Sequence, residues 1–287
     1  MLPSPQDPTG TLDLRLIAND EIENRLSAFS TTVEGAVSAL YKDQITLNVE
    51  VSDIEEEENN EEAIALLLLL LGQKAEETIY GDEEVSWLST LVAASYLRGK
   101  ALAENETSAS GVNAPELHTK KRLQAEKNVV EVVKQNTQSM IADISIIVSA
   151  LLVRDITKEK AIERILDRVK KVGQTKLNRT SRTEIVHVHQ LATITQGEAI
   201  TAFTGVEVVY RWQTREDSRV RDTHAARNKK LYSKNAVTPL LGEPNCRCRI
   251  IPTPVNSKGQ QAAAFSPIFL TLPVPLTPQE LDSESQE

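Results

Sequence analysis

The sequence predicts a mainly α protein with a small α+β C-terminal domain, built as a helical N-terminal module, a short antiparallel sheet and a proline-rich extended tail. Three observations carry that prediction. Apolar residues recur at spacings of three and four through most of the first two hundred positions. Aromatic residues are only 4% of the chain, fewer than aromatic-bearing strands of a sandwich or barrel would use. Val206–Trp212 and Arg249–Ile251 read as strands, and six of the 12 prolines lie in the last 36 residues.

The first eleven residues hold Pro3, Pro5, Pro8 and Gly10 and read as an extended arm. From Ile22 the positions Ile22, Leu26, Phe29, Val33, Ala36 and Leu40 form a helical seam that tertiary or partner packing must cover. Residues 50–62 carry eight acids and no base, a solvated loop or helix start, and Ala63–Leu71 is leucine-rich on every face. A helix is expected over Trp87–Ala103 and a loop over 104–113. Pro115 opens a long helix with its stripe on Val129, Val133, Met140, Ile144, Ile147 or Val148, and Leu151. Thr157 is placed to cap the next, through Ala161, Ile165 and Val169 to a stop at Gly173. Ser181 and Glu184 match a capping box that would open a helix ending at Gly205, although Ile185–Val188 is β-branched enough to be a strand. Val206–Trp212 and Arg249–Ile251 read as strands. These elements divide the chain into an arm (1–20), a helical module (21–178), a compact domain (179–252) and a tail (253–287).

Charge is divided as sharply as structure. Residues 1–153 sum to -15, residues 154–251 to +9 and the tail to -3. Only the basic stretch could welcome an anionic partner, either an acidic protein surface or nucleic acid. Its densest part is Arg211, Arg215, Arg219, Arg221, Arg227, Lys229 and Lys230. Two cysteines cannot make a disulfide framework, the N-terminus has no secretory pattern, and the longest apolar run of nine residues is far short of the about 20 a membrane span needs. The expected class is a soluble protein made and kept inside a cell, with no membrane association and no small-molecule substrate.

Asp217, His224, Cys246 and Cys248 are the one cluster with site chemistry. Thiolates and a neutral imidazole are good zinc ligands, so a structural zinc is one reading. The other is a loop pinned by packed thiols and hydrogen bonds, with no cofactor. Asp217 is expected to cap the turn into Ser218–His224 or to pair with Arg219 or Arg221. His187, His189 and His118 read as surface or backbone-bonded histidines, and Trp212 as core. No phosphate-binding loop, HExxH, GxSxG or carboxylate pair at catalytic spacing is present, and no enzyme activity is expected.

The segment Tyr210–Pro252 resembles the Mu F-like head-morphogenesis family, the minor head proteins of tailed bacteriophages. The residues that carry the resemblance are Trp212, Thr214, Asp217, Arg219, Val220, Arg221, His224, Gly242, Pro244, Cys246, Arg247 and Cys248, with Arg182-Thr183-Glu184 upstream. One departure is Arg227-Asn228-Lys229, where a glycine turn is usual; Asn228 is the residue expected to tolerate the left-handed conformation. The resemblance implies a virion protein inside the head near the portal vertex, assembled in the host cytoplasm. Its implied partners are the portal and the capsid interior, and its implied roles are head assembly, DNA packaging or ejection. The alternatives are non-specific binding of packaged DNA through the basic strip, and a metal-dependent hydrolase on Asp217, His224 and the cysteines. Docking is expected through the Ile22–Leu40 seam or the tail anchors Phe265–Leu270.

Overall fold

The computed structural model describes residues 7–47, 69–80, 87–107, 114–153 and 155–255. Their long helices are α1 (Leu12–Leu47), α2 (Trp87–Thr107), α3 (Pro115–Leu152), α4 (Lys158–Val172) and α5 (Asn178–Thr204). The C-terminal part adds β1 (Glu207–Gln213), α6 (Asp222–Ala225), β2 (Leu231–Tyr232), α7 (Lys234–Val237) and β3 (Arg249–Val255). The chain is therefore mainly helical with one small antiparallel sheet, ordered β2-β1-β3. It forms two compact units: one from Met1–Ala18, Leu88–Val129 and Thr180–Glu287, the other from Asn19–Trp87 and Val130–Arg179. The acidic stretch 50–62, most of Ala63–Leu71 and the tail anchors Phe265–Leu270 lie outside the described residues.

In the first unit, residues 7–11 are not an extended arm. Asp7 accepts from the Leu12 amide at 2.7 Å, Thr9 bonds both Asp7 and Thr11, and Arg15 pairs with Asp7 at 3.0 Å. The carboxylate satisfies the orphan Leu12 amide of the first turn and the Thr9 hydroxyl holds that carboxylate, so the segment folds back as a cap. Arg98 on α2 adds a two-pronged contact to Asp13 and a bond to the Gly10 carbonyl. Helix α2 continues past the expected loop start at residue 104 to Thr107, and Glu106 near its end meets Arg249 at 2.6 Å.

Helix α5 is the spine of this unit. Its β-branched stretch Ile185–Val188 is helical because Ile185, Val186 and Val188 are all buried. Its inner face is also unusually polar. Ser95 donates to the Ile185 carbonyl at 2.5 Å, and His118 bridges the Tyr96 hydroxyl (3.1 Å) and Gln196 (2.8 Å). His118 is thus held by side chains in the core, not by backbone at the surface. His189 is buried as well, with neither ring nitrogen bonded, whereas His187 is half-buried beside Glu184 at 3.3 Å. Gly205, at φ +72°, takes the left-handed turn that ends the helix.

The second unit covers the α1 seam. Ile22, Leu26, Phe29, Val33 and Val37 are all buried, Val37 in place of Ala36. Covered within its own chain, this face is not a free docking surface, which corrects the expectation that it meets the portal. Arg25 stacks 5.6 Å from the Trp87 ring and donates to the Thr78 carbonyl, while Trp87 donates to the Ile79 carbonyl at 2.9 Å. On α3 the stripe resolves to Val148, not Ile147. Thr157 caps α4 by accepting from the Lys160 amide at 3.3 Å. The chain does not stop at Gly173: a single π turn, Gly173–Leu177, carries it directly into α5. Ser181 is consequently buried inside α5 and the capping-box pattern opens no helix.

Strand β1 is central, pairing Tyr210 with Tyr232 on β2 and running antiparallel to β3 from Glu207↔Val255 to Gln213↔Arg249. Strand β3 extends to Val255, so the tail begins no earlier than residue 256, correcting the boundary at 253. Pro252 and Pro254 fit because β3 is an edge strand and alternate residues point their amide positions away from the partner. Ile194, Ala199 and Ile200 of α5 pack on Val208, Tyr210 and Trp212 of β1, with Val237, Cys246, Cys248 and Ile250 completing the core.

Two measurements test this packing. A Cβ at Gly99 would overlap the His189 carbonyl, while one at Gly35 in α1 would meet nothing within 4 Å. Gly99→Ala should therefore lower the melting temperature by an equivalent of about 1–3 kcal/mol, and Gly35→Ala should raise it by about 0.5–1 kcal/mol. The second test is acid titration. Burial, then Arg249 and Arg98, push the His189 pKa down to about 3 from an ordinary 6.5. The unfolded chain therefore takes a proton that the folded one refuses as pH falls from about 6.5 towards about 3. Full stability is present above 6.5 and a few kcal/mol are lost across that window. His189→Leu should flatten the denaturation-versus-pH curve relative to wild type; Glu106, pushed up by burial, acts in the opposite sense in both proteins.

Candidate functional site

The excursion between β1 and β3, residues 214–248, folds back over the sheet and carries every residue of the motif beyond Trp212. Its first corner is held by Asp217, whose Oδ1 accepts from the Arg219 amide at 3.1 Å while its carbonyl accepts from Val220. That turn delivers the short helix α6, which places His224 inward. The next turn returns to β2; Asn228 accepts from the Thr214 amide at 3.0 Å, and the left-handed residue is Lys229 (φ 65°), not Asn228. The last corner, with Asn245 at φ 56°, is tied to α5 by the Asn245 amide donating to Thr183 at 2.9 Å. Gln190, also on α5, donates to the Cys248 carbonyl at 2.8 Å.

These turns bring His224, Cys246 and Cys248 together, all buried, with one donor atom of each within 4.8 Å of the others. His224 Nδ1 is 3.3 Å from Cys248 Sγ and 3.7 Å from Cys246 Sγ, and the Cys248 amide donates to Cys246 Sγ at 3.4 Å. On the far side of the ring, Nε2 meets Glu243 Oε2 at 2.6 Å. The Trp212 ring closes the site edge-on, 5.8 Å from the imidazole at 90°. Both cysteines are free thiols. They act as a pair: the hydrogen bond from Cys248 pulls the Cys246 pKa down to about 6, and the same bond together with burial pushes Cys248 up. One thiolate is thus favoured where two would repel.

Glu243 is the hub of the polar shell. Besides His224 it receives Arg227 at 2.7 Å and Arg221 at 3.2 Å, and Arg221 also reaches the Pro244 carbonyl. Partial burial would raise its carboxyl, but hydrogen bonds from Arg227 and His224 outweigh that and hold it at about 2. Arg227 lies 5.2 Å over the Trp212 ring, so one guanidinium serves both the core and the shell.

Asp217 stands apart from the His224–Cys246–Cys248 group, which corrects its place in the expected ligand set. Two bonds from Arg247, at 2.6 and 2.7 Å, hold its carboxyl at about 2, and Arg215 approaches at 3.4 Å. Its ion partners are therefore Arg247 and Arg215, not Arg219 or Arg221. The basic strip is largely answered by acids: Arg215 by Asp217, Arg221 and Arg227 by Glu243, Lys229 by Glu216 at 3.6 Å. Arg211, Arg219 and Lys230 are exposed. Glu243 was missed by motif spacing, yet it is the one carboxylate between Asp222 and Cys246, a signal the sequence carried.

Residues 147–251 match the family model described as Phage Mu protein F like protein. No curated protein and no solved structure matches the chain. The family match bears out the resemblance over that region of the chain.

Removing the hub should cost more than removing the corner. Glu243→Ala is expected to destabilise by about 1.5–3 kcal/mol because it strands His224 and two arginines, while Asp217→Asn should cost under about 1 kcal/mol. Chemical denaturation of the full chain compares them.

Proposed function

We propose that this chain is a structural minor head protein of a tailed bacteriophage, associating with the portal and the capsid interior during head assembly and supporting DNA packaging or ejection. The observation that carries the reading is the Mu F-like match over 147–251, which takes in α4, α5, β1 and the motif excursion. A virion location follows from the same family, and among the described residues no helix is long and apolar enough to cross a membrane.

The residues favour a structural role over the two alternatives. A genome-binding strip needs cations free to displace counterions from phosphates, and four of the seven here already meet carboxylates of their own domain. A hydrolase built on Asp217, His224 and the cysteines would need Asp217 at the metal, and Asp217 is clamped by Arg247 instead.

The buried α1 seam leaves docking to other surfaces, and the tail beyond Val255 becomes the segment to remove. In purified heads the chain should be present in few copies and label at one vertex. Deleting 256–287, which spares β3, should lower its incorporation while the melting transition of the remaining chain is retained. Absence from purified heads, or uniform labelling of the shell, would overturn the proposal.

A further inference from the structure

We infer that His224, Cys246 and Cys248 bind one zinc ion through Nδ1 and two thiolate sulfurs, with Glu243 as the outer carboxylate that orients the imidazole. Distances support this first. Zinc bonds of about 2.3 Å to sulfur and about 2.0–2.1 Å to nitrogen, at a tetrahedral angle, put N and S about 3.6 Å apart. The two observed separations, 3.3 and 3.7 Å, bracket that value.

Orientation supports it next. The Glu243 carboxylate, paired with Arg227 and Arg221, lies 2.6 Å from Nε2 and accepts there, so Nε2 carries the proton and the Nδ1 lone pair faces both sulfurs. A lone pair aimed at two sulfurs can be shared with at most one S–H, but all three atoms can donate to a single cation. A carboxylate behind a histidine ligand is the arrangement that fixes its tautomer and strengthens its donation. The Cys248 amide pointing at Cys246 Sγ stabilises a thiolate there.

Charge completes the argument. Two thiolates and a neutral imidazole around a divalent ion sum to zero, so a buried site is left without net charge. Glu243 does not disturb that balance, because Arg227 and Arg221 already neutralise it. A donor set of two sulfurs and one nitrogen selects zinc over magnesium or calcium, which take oxygen. The ion would join the loop after β1 to the approach to β3 and make folding of the excursion metal-dependent.

The test uses the full chain expressed with added zinc and purified under reducing conditions without chelator. Elemental analysis should find about one zinc per chain, and both thiols should react with a thiol reagent only after chelation. Cobalt exchanged into the site should give a thiolate-to-metal charge-transfer band and tetrahedral d–d bands. C246S and C248S should each alter that spectrum, and the double variant should abolish it. Glu243→Gln should keep the stoichiometry at saturating zinc but lose about 10–100-fold in competition against a chelator. Should the cysteine variants fail to fold, wild type and Glu243→Gln decide alone, by chelator competition and melting. Metal-free chain with freely reactive thiols, a Cys246–Cys248 disulfide, cobalt without a charge-transfer band, or zinc retained by the double variant would each overturn the inference. None of these outcomes bears on incorporation into heads, so the functional proposal stands or falls separately.

Discussion

Strand β1 is paired on both edges, and the strand that completes the sheet, β3, is reached only after an excursion of about 35 residues. Everything else in the C-terminal domain answers that constraint. Few apolar side chains are available in the excursion, so hydrophobic burial alone is a weak clamp. Trp212 supplies one fixed surface, receiving the His224 edge, the Tyr232 ring at 6.4 Å and the Arg227 guanidinium. The remaining closure is polar: Asp217 to Arg247 across 30 residues, Glu243 to His224 and Arg227, and α5 to the last corner through Thr183 and Gln190. Each pair joins the beginning of the excursion, or α5, to its end.

That arrangement gives part of the domain's charge a structural task. Arginines at 215, 221, 227 and 247 are spent on two carboxylates, in contacts individually worth little at a surface but cooperative when they share a hub. The +9 balance of residues 154–251 remains after these pairs form, and Arg211, Arg219 and Lys230 of the strip are exposed. Net charge read along a sequence reports supply; only the fold shows how much has been committed. The same holds for α5, whose polar inner face bonds Ser95, His118 and Cys248 rather than solvent.

Sequence and structure agree where the signal was periodic or punctuated. The stripe of α3, the Thr157 cap, the β1 strand and the Gly205 stop depend on local chemistry that a sequence displays. They diverge where tertiary context overrides it. The box Ser181–Glu184 has the right residues, but a π turn hands the helix on from Val172, so no free amides remain for Ser181 to cap. Nothing local marks His189 as buried; α2 reaches it through Gly99, whose missing side chain lets the backbones touch. Asp7, Thr9 and Thr11 were hidden by their prolines, which suggested extension where hydroxyls and a carboxylate were building a cap.

The site was legible as residue types and only partly as geometry. Cys246-x-Cys248 and His224 could be chosen from their chemistry, since thiolate and imidazole favour the same kind of partner. Asp217 lies near them in sequence, but a carboxylate beside Arg247 gains more from a bidentate guanidinium than from a buried sulfur site. Glu243 has the converse history: distant from His224 by 19 residues, it contacts the ring because the 3-10 turn Thr238–Leu240 and the Gly242 bend bring the loop back across α6. The rule that emerges is one of competition. Within an excursion this short of apolar residues, each carboxylate goes to the arginine or histidine that best closes the loop, and the residue nearest in sequence is seldom the one that does so.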